Sequence, residues 1–142
     1  MNKKLIGIVV IGLLLGTIFL SGVGVQATDK KDTTPPSIKI TKPGNGLYLC
    51  NLRISRLSSP LIFGAITVKA DVTDDESGVK GVRFSVRTVP LFPQNIMVGY
   101  DSAPPYTCKI IERRLGEIKI IVEAFDNAGN VNEVSIVVWK FF

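Results

Sequence analysis

The sequence predicts an all-β chain of about seven strands folded as a two-layer sandwich, preceded by an N-terminal hydrophobic targeting helix. Three observations predict it. The alternating run Ile118–Phe125 reaches Asp126-Asn127-Ala128-Gly129-Asn130 and returns as a second run, Val131 to Trp139, which is a hairpin signal. Clusters of Asp, Asn, Ser, Gly and Pro interrupt apolar alternation at short intervals, as in sandwiches. No helix-period stretch of useful length exists beyond the first 27 residues.

Taken in order, residues 1–27 read as a targeting segment. Lys3 and Lys4 precede an apolar run, Leu5 to Leu20, and Val25-Gln26-Ala27 fits the small-x-small pattern of signal peptidase, so cleavage after Ala27 is expected. The alternative is an uncleaved membrane anchor, since Leu5 to Val25 approaches the roughly 20 apolar residues that span a bilayer. Either way residues 28–142 are expected outside the cytoplasm. Residues 28–36 read as a polar, extended linker ending in Pro35-Pro36, and residues 37–142 as one domain.

Within that domain Ser37–Thr41 alternates and predicts the first strand, and Pro43-Gly44-Asn45-Gly46 a turn. Leu47–Ala65 is irregular but apolar, predicting a short strand or bridge across the end of the sandwich. Ile66, Val68, Ala70 and Val72 mark a half-buried strand, and Asp74-Asp75-Glu76-Ser77-Gly78 the next turn. Val82, Phe84 and Val86 mark a third strand, interrupted by Val89–Pro93 because prolines do not sit in a central ladder. Ile96–Tyr100 reads as an edge strand. Tyr106–Ile111 is a strand with Tyr106, Cys108 and Ile110 on its inward side.

Composition excludes several functions. The chain has 17 basic and 12 acidic residues and no His. Two of the basic residues are Lys3 and Lys4, and the remaining surplus is spread along the chain. A nucleic-acid partner would want a clustered basic patch, so none is expected. Without His the commonest general base and metal ligand are missing, and two Cys alone cannot close a zinc site. No nucleophile–base arrangement or carboxylate pair across a cleft is evident, so no enzymatic activity is expected.

Landmarks along residues 34–142 carry a family resemblance. They are Pro35-Pro36-Ser37-Ile38-Lys39-Ile40 with Asn45-Gly46, Ser77-Gly78-Val79, Val82-Arg83-Phe84, Asp101 with Pro104-Pro105-Tyr106, and Gly116 through Ala124-Phe125-Asp126-Asn127-Ala128-Gly129-Asn130. In this order they resemble the extracellular immunoglobulin-like, fibronectin type III-like domains of bacteria and archaea. The resemblance implies a seven-stranded immunoglobulin-like β-sandwich at the cell surface or secreted, acting in adhesion, scaffolding or partner binding. The alternative is a carbohydrate-binding accessory module of the cell envelope. The expected partner is a protein or an envelope glycan, with the membrane touched only through residues 1–27. In that family aromatic residues stand where this chain has Cys50 and Cys108.

Three constellations are candidates for chemistry. Cys50 and Cys108, two cysteines in an exported chain, are a disulfide candidate; two buried free thiols are the alternative. Asp74, Asp75, Asp101 and Asp126, with Glu76, Asn127 and Asn130, fall in loops that a sandwich brings to one pole. Carboxylates and amides there suit calcium, and the same residues equally serve ordinary turn chemistry, so no cofactor is required. Finally, alternation places Ile121 and Phe125 of one strand, Val137 and Trp139 of the next, and Arg83 and Arg87 of the third on an outward face. That face is either a binding surface or a surface covered by Leu47–Ala65 or by Phe141-Phe142.

Overall fold

The computed structural model describes residues 31–88 and 94–142, so the targeting segment and the Val89–Pro93 interruption lie outside the described residues. Ten strands occur among them. In chain order they are β1 (Ser37–Lys42), β2 (Gly46–Leu49), β3 (Leu52–Ser55), β4 (Pro60–Phe63) and β5 (Ile66–Thr73), then β6 (Val79–Thr88), β7 (Asn95–Asp101), β8 (Tyr106–Ile110), β9 (Gly116–Asp126) and β10 (Val131–Phe141). A three-stranded sheet, β1-β5-β8, faces a seven-stranded sheet in the order β3-β2-β4-β10-β9-β6-β7. No helix among the described residues is long and apolar enough to cross a membrane.

Period-two alternation explains the core. Ile66, Val68 and Ala70 of β5 and Tyr106 and Ile110 of β8 pack against Val82, Phe84 and Val86 of β6, Ile118, Ile120, Val122 and Ala124 of β9, and Val138 of β10. Each is buried. Ile38 and Ile40 of β1 and Val134 and Ile136 of β10 complete the layer at partial burial. The predicted register of the last hairpin therefore holds. Val131 pairs with Phe125 and Trp139 with Glu117, so the even positions of β10 face the core and the odd ones face away.

Two expectations are corrected. Among the described residues the strands number ten rather than seven, and the excess lies in Leu47–Ala65. That segment forms neither a bridge over the sandwich end nor a cover for the outer face. It forms β2, β3 and β4, which widen the larger sheet by pairing β4 in parallel with β10. Pairing satisfies the segment's backbone groups, and one apolar set (Tyr48 and Ile62) enters the core. Parallel pairing needs a long-range partner that local alternation does not reveal.

The linker is docked rather than free from Asp32 onward. Asn130 Nδ2 donates to the Asp32 carbonyl at 3.2 Å, Asn132 Nδ2 to the Pro36 carbonyl at 2.8 Å, and the Ser77 amide to Asp32 Oδ2 at 3.2 Å.

Candidate functional site

Three places bring chemistry-bearing residues together: a carboxylate cluster at the β9–β10 turn, and the two ends of the outer face of the seven-stranded sheet.

The turn comes first. Asp126, fully buried, closes β9. Its Oδ1 accepts from the Gly129 amide at 2.7 Å and the Asn130 amide at 2.8 Å, and its Oδ2 from Asn130 Nδ2 at 2.7 Å. Gly129 has φ +97°, a conformation that glycine adopts without a Cβ penalty. Across from it Asp74 Oδ1 accepts from the Ser77 amide at 2.9 Å and the Gly78 amide at 2.6 Å. Asn127 Nδ2 ties the two turns by donating to the carbonyls of Ser77 and Gly78. The linker residue Asp32 joins them, so that one carboxylate oxygen each from Asp32, Asp74 and Asp126 lies within 4.8 Å of the others. Hydrogen bonding from Ser77, then from the Thr34 amide, holds the Asp32 carboxyl below its usual value.

Two of the sequence-predicted ligands thus meet and two do not. Asp75 is exposed and outside the trio. The Asp101 carboxylate is engaged at its own turn, accepting from the amides of Ala103 and Thr107. Asp32 escaped sequence reasoning, because an Asp in a polar linker carries no signal until the Asn130 and Ser77 contacts fix it. Three carboxylates are a donor set that suits a hard divalent cation, and their oxygens also serve as acceptors for the turns themselves.

The cysteines do not form the expected disulfide; both are free thiols. Cys50 is exposed in the β2–β3 turn at φ +45°, with its sulfur against Gly64. Cys108 lies on β8 opposite Val68, and its sulfur packs over Gly99, where a Cβ would come within 2.6 Å of it. Cys108 points inward as expected, but Leu47–Ala65 joins the sheet edge instead of crossing the core, and so carries Cys50 elsewhere. Burial, and then the charge of Asp101, push the Cys108 thiol up, which makes it a poor nucleophile.

The outer face reads as rows of ladder partners, since paired residues point to the same side. From the turn downward the rows are Gly81–Phe125–Val131, then Tyr100–Arg83–Glu123–Glu133, then Met97–Ser85–Ile121–Ser135, then Asn95–Arg87–Lys119–Val137. Below them come Glu117–Trp139–Leu61–Leu47 and Phe141–Phe63–Leu49–Leu52. Trp139 is 46% exposed, as the sequence predicts. Ile121 keeps its outward parity yet is only 2% exposed, so it is not available to a partner. Its ladder neighbours are two small serines, Ser85 and Ser135, and longer side chains stand one row away, within reach over it. Arg87 is exposed in the fourth row.

The expected single platform is divided. Phe125 and Trp139 stand eight residues apart along β9, roughly 27 Å at the rise of an extended strand. Apart from Glu117 beside Trp139 and Lys119 beside Val137, the lower end is apolar, with Val137, Leu49 and Leu52 at 47%, 52% and 67% exposure and the rings of Phe63 and Phe141 stacked at 4.8 Å. The upper end is polar and aromatic. Arg83 makes two 2.6 Å bonds to the Glu123 carboxylate and lies 5.2 Å from the Phe125 ring centroid. The Glu123 hydrogen bonds hold its guanidinium above the usual value. A recess of about 300 Å³ opens there, lined by Lys80, Arg83, Met97, Tyr100, Phe125 and the turn.

Comparison with known proteins agrees with this architecture. The profile of the bacterial Ig domain family matches residues 36–117, from the first strand into the start of β9. Among solved structures the chain is similar to the fibronectin(III)-like modules of Clostridium thermocellum CbhA, with TM-score 0.55, 18% identity, 75% of this chain covered and 47% of that chain. It also aligns with an engineered protein at TM-score 0.48 and 18% identity, over 75% of this chain and 20% of that one. The chain thus spans less than half the length of either structure. No curated protein matches the sequence. The two-sheet arrangement is the fold of the fibronectin-like neighbour, and the family match over more than half of the chain places it in the bacterial Ig domain family.

Proposed function

We propose that the chain is an exported, non-catalytic module that works by adhesion, scaffolding or partner binding at the outer side of the cell envelope, and that a protein partner docks on the lower outer face. The observation that carries the reading is the contiguous set of Val137, Trp139, Leu61, Leu47, Phe141, Phe63, Leu49 and Leu52. None of the eight is charged, and no described element covers them. An exposed apolar sheet face of that breadth favours association, and a central Trp is the residue type that dominates binding energy. The lysine pair and apolar run of residues 1–27 support export, as does the family, whose domains are commonly extracellular or surface-associated. The test is cross-linking of the full-length protein in its own cells, followed by mass spectrometry. Wild type should give adducts mapped to β2, β4 and β10, and Trp139→Ala or Leu49→Glu should remove them without loss of folded protein. Adducts that persist in both variants would place the partner elsewhere.

A second reading concerns calcium, favoured by the meeting of Asp32, Asp74 and Asp126. Calorimetry with calcium should show binding in the millimolar range or tighter that Asp32→Asn and Asp74→Asn abolish. Absence of heat would leave the three carboxylates as turn acceptors alone.

A further inference from the structure

We propose that the recess at the upper end of the outer face is a saccharide subsite. It gives the carbohydrate alternative a definite location, and it stands or falls separately from the apolar face about 27 Å away.

One wall of the recess depends on a missing side chain. Gly81 lies on β6 directly opposite Phe125 of β9, and a Cβ at Gly81 would collide with the ring of Tyr100 from β7. The glycine therefore lets Tyr100 lean across the central strand, with its hydroxyl 3.5 Å from the Lys80 carbonyl. Tyr100 thereby fills the space over Gly81 and stands with Phe125 among the residues that line the recess. The volume of about 300 Å³ lies at the lower end of small-molecule sites and is too small for a folded partner.

The polar groups complete the argument. Sugar recognition needs an apolar face for the C–H side of the ring and fixed planar groups for its hydroxyls. Tyr100, 50% exposed, and Phe125 supply the first. Arg83 supplies the second, because Glu123 and the Phe125 ring already hold its guanidinium in place, so little ordering is left to be done on binding. The charges nearby are largely spent. Glu123 is paired with Arg83, and Asp126 is fully buried on its turn amides. Lys80 is exposed and makes no ion pair among the described residues. A neutral sugar fits these groups, and a carboxylate-bearing sugar would in addition meet Lys80.

The experiment is calorimetry of the full-length protein, in detergent if residues 1–27 are retained, with cellohexaose, mannohexaose and hexagalacturonate as probes. At least one should bind, and Tyr100→Ala should weaken it roughly tenfold, the scale of a lost aromatic contact. Gly81→Ala, which displaces the Tyr100 ring, should weaken it similarly. Trp139→Ala should leave it unchanged. Lys80→Ala should weaken hexagalacturonate while sparing the neutral oligomers. Melting temperatures of the variants confirm that loss reflects the recess. No heat with any probe at millimolar concentration overturns the proposal, as does binding that survives Tyr100→Ala or is lost in Trp139→Ala. Neither result bears on partner capture by the lower face.

Discussion

The two ends of the outer sheet face share one rule and differ in every consequence. Both arise from the same alternation along β9 and β10, which turns odd-numbered residues away from the core. At the lower end the added strands β4 and β2 place Leu61, Leu47, Phe63 and Leu49 beside Trp139 and Phe141, so exposure there is apolar. At the upper end β6 and β7 place Arg83, Tyr100 and Gly81 beside Glu123 and Phe125, so exposure there is ion-paired and aromatic. Strand parity decides which residues are available, and the neighbouring strands decide what they can do.

The largest effect should come from the upper end. Asp126→Ala leaves the Gly129 and Asn130 amides and the Asn130 side chain without their acceptor at a buried position, and should cost about 2–4 kcal/mol in urea unfolding. A loss below about 1 kcal/mol would mean that solvent replaces the carboxylate and that the turn does not organise this end.

The next sits beneath the lower end. Lys140 points into the core side of β10, is fully buried, and donates to the Gly64 carbonyl at 2.8 Å and to the Phe142 carbonyl. Burial pushes its amine down from the usual value of 10.5, opposed by the charge of Glu112. The folded state therefore binds fewer protons than the unfolded state between those two values, and stability should rise with pH across that window. Burial of Tyr106 works the opposite way at higher pH, because its phenol is pushed up. The difference between wild type and Lys140→Met isolates the lysine. Across a series of alkaline pH values the stability of wild type in urea should rise relative to that of the Met variant, and parallel curves would refute the assignment.

Smaller still is the Arg83–Glu123 pair. Its side chains are 41% and 17% exposed, so a double-mutant cycle should return a coupling of about 0.5–1 kcal/mol. A coupling near zero would mean that Arg83 is not held, and would remove the preorganisation argued for the recess. Smallest is Trp139→Ala, which should change stability by less than about 1 kcal/mol while abolishing cross-links, since the ring is already half in solvent. A large loss of stability would show that the lower face is structural.

Much of the sandwich was legible because its signals are local. Asp126 through Asn130 read correctly as a hairpin turn, and the placement of Val134, Ile136 and Val138 toward the core followed from period two alone. The edge position expected of Ile96–Tyr100 is the one that β7 takes in the sheet. The misreadings share a cause. Leu47–Ala65 becomes three strands only because β4 finds β10, nearly eighty residues later in sequence. Asp32 reaches Asp126 only because Asn130 and Ser77 hold the linker down. The disulfide expectation rested on compartment and composition, neither of which says where Cys50 points.

By itself, then, the sequence determined the all-β class, the faces of the long strands, the turns that join them and the family to which they belong. Each of these follows from backbone preference and from the two-residue period, which act within a few neighbouring positions. Only the tertiary structure decided the number of strands, the division of the outer face into an apolar and an aromatic end, the separation of the two thiols and the membership of the carboxylate trio. Those depend on which distant strand supplies the next row of the ladder, and that choice is made by long-range pairing and burial rather than by any local spacing.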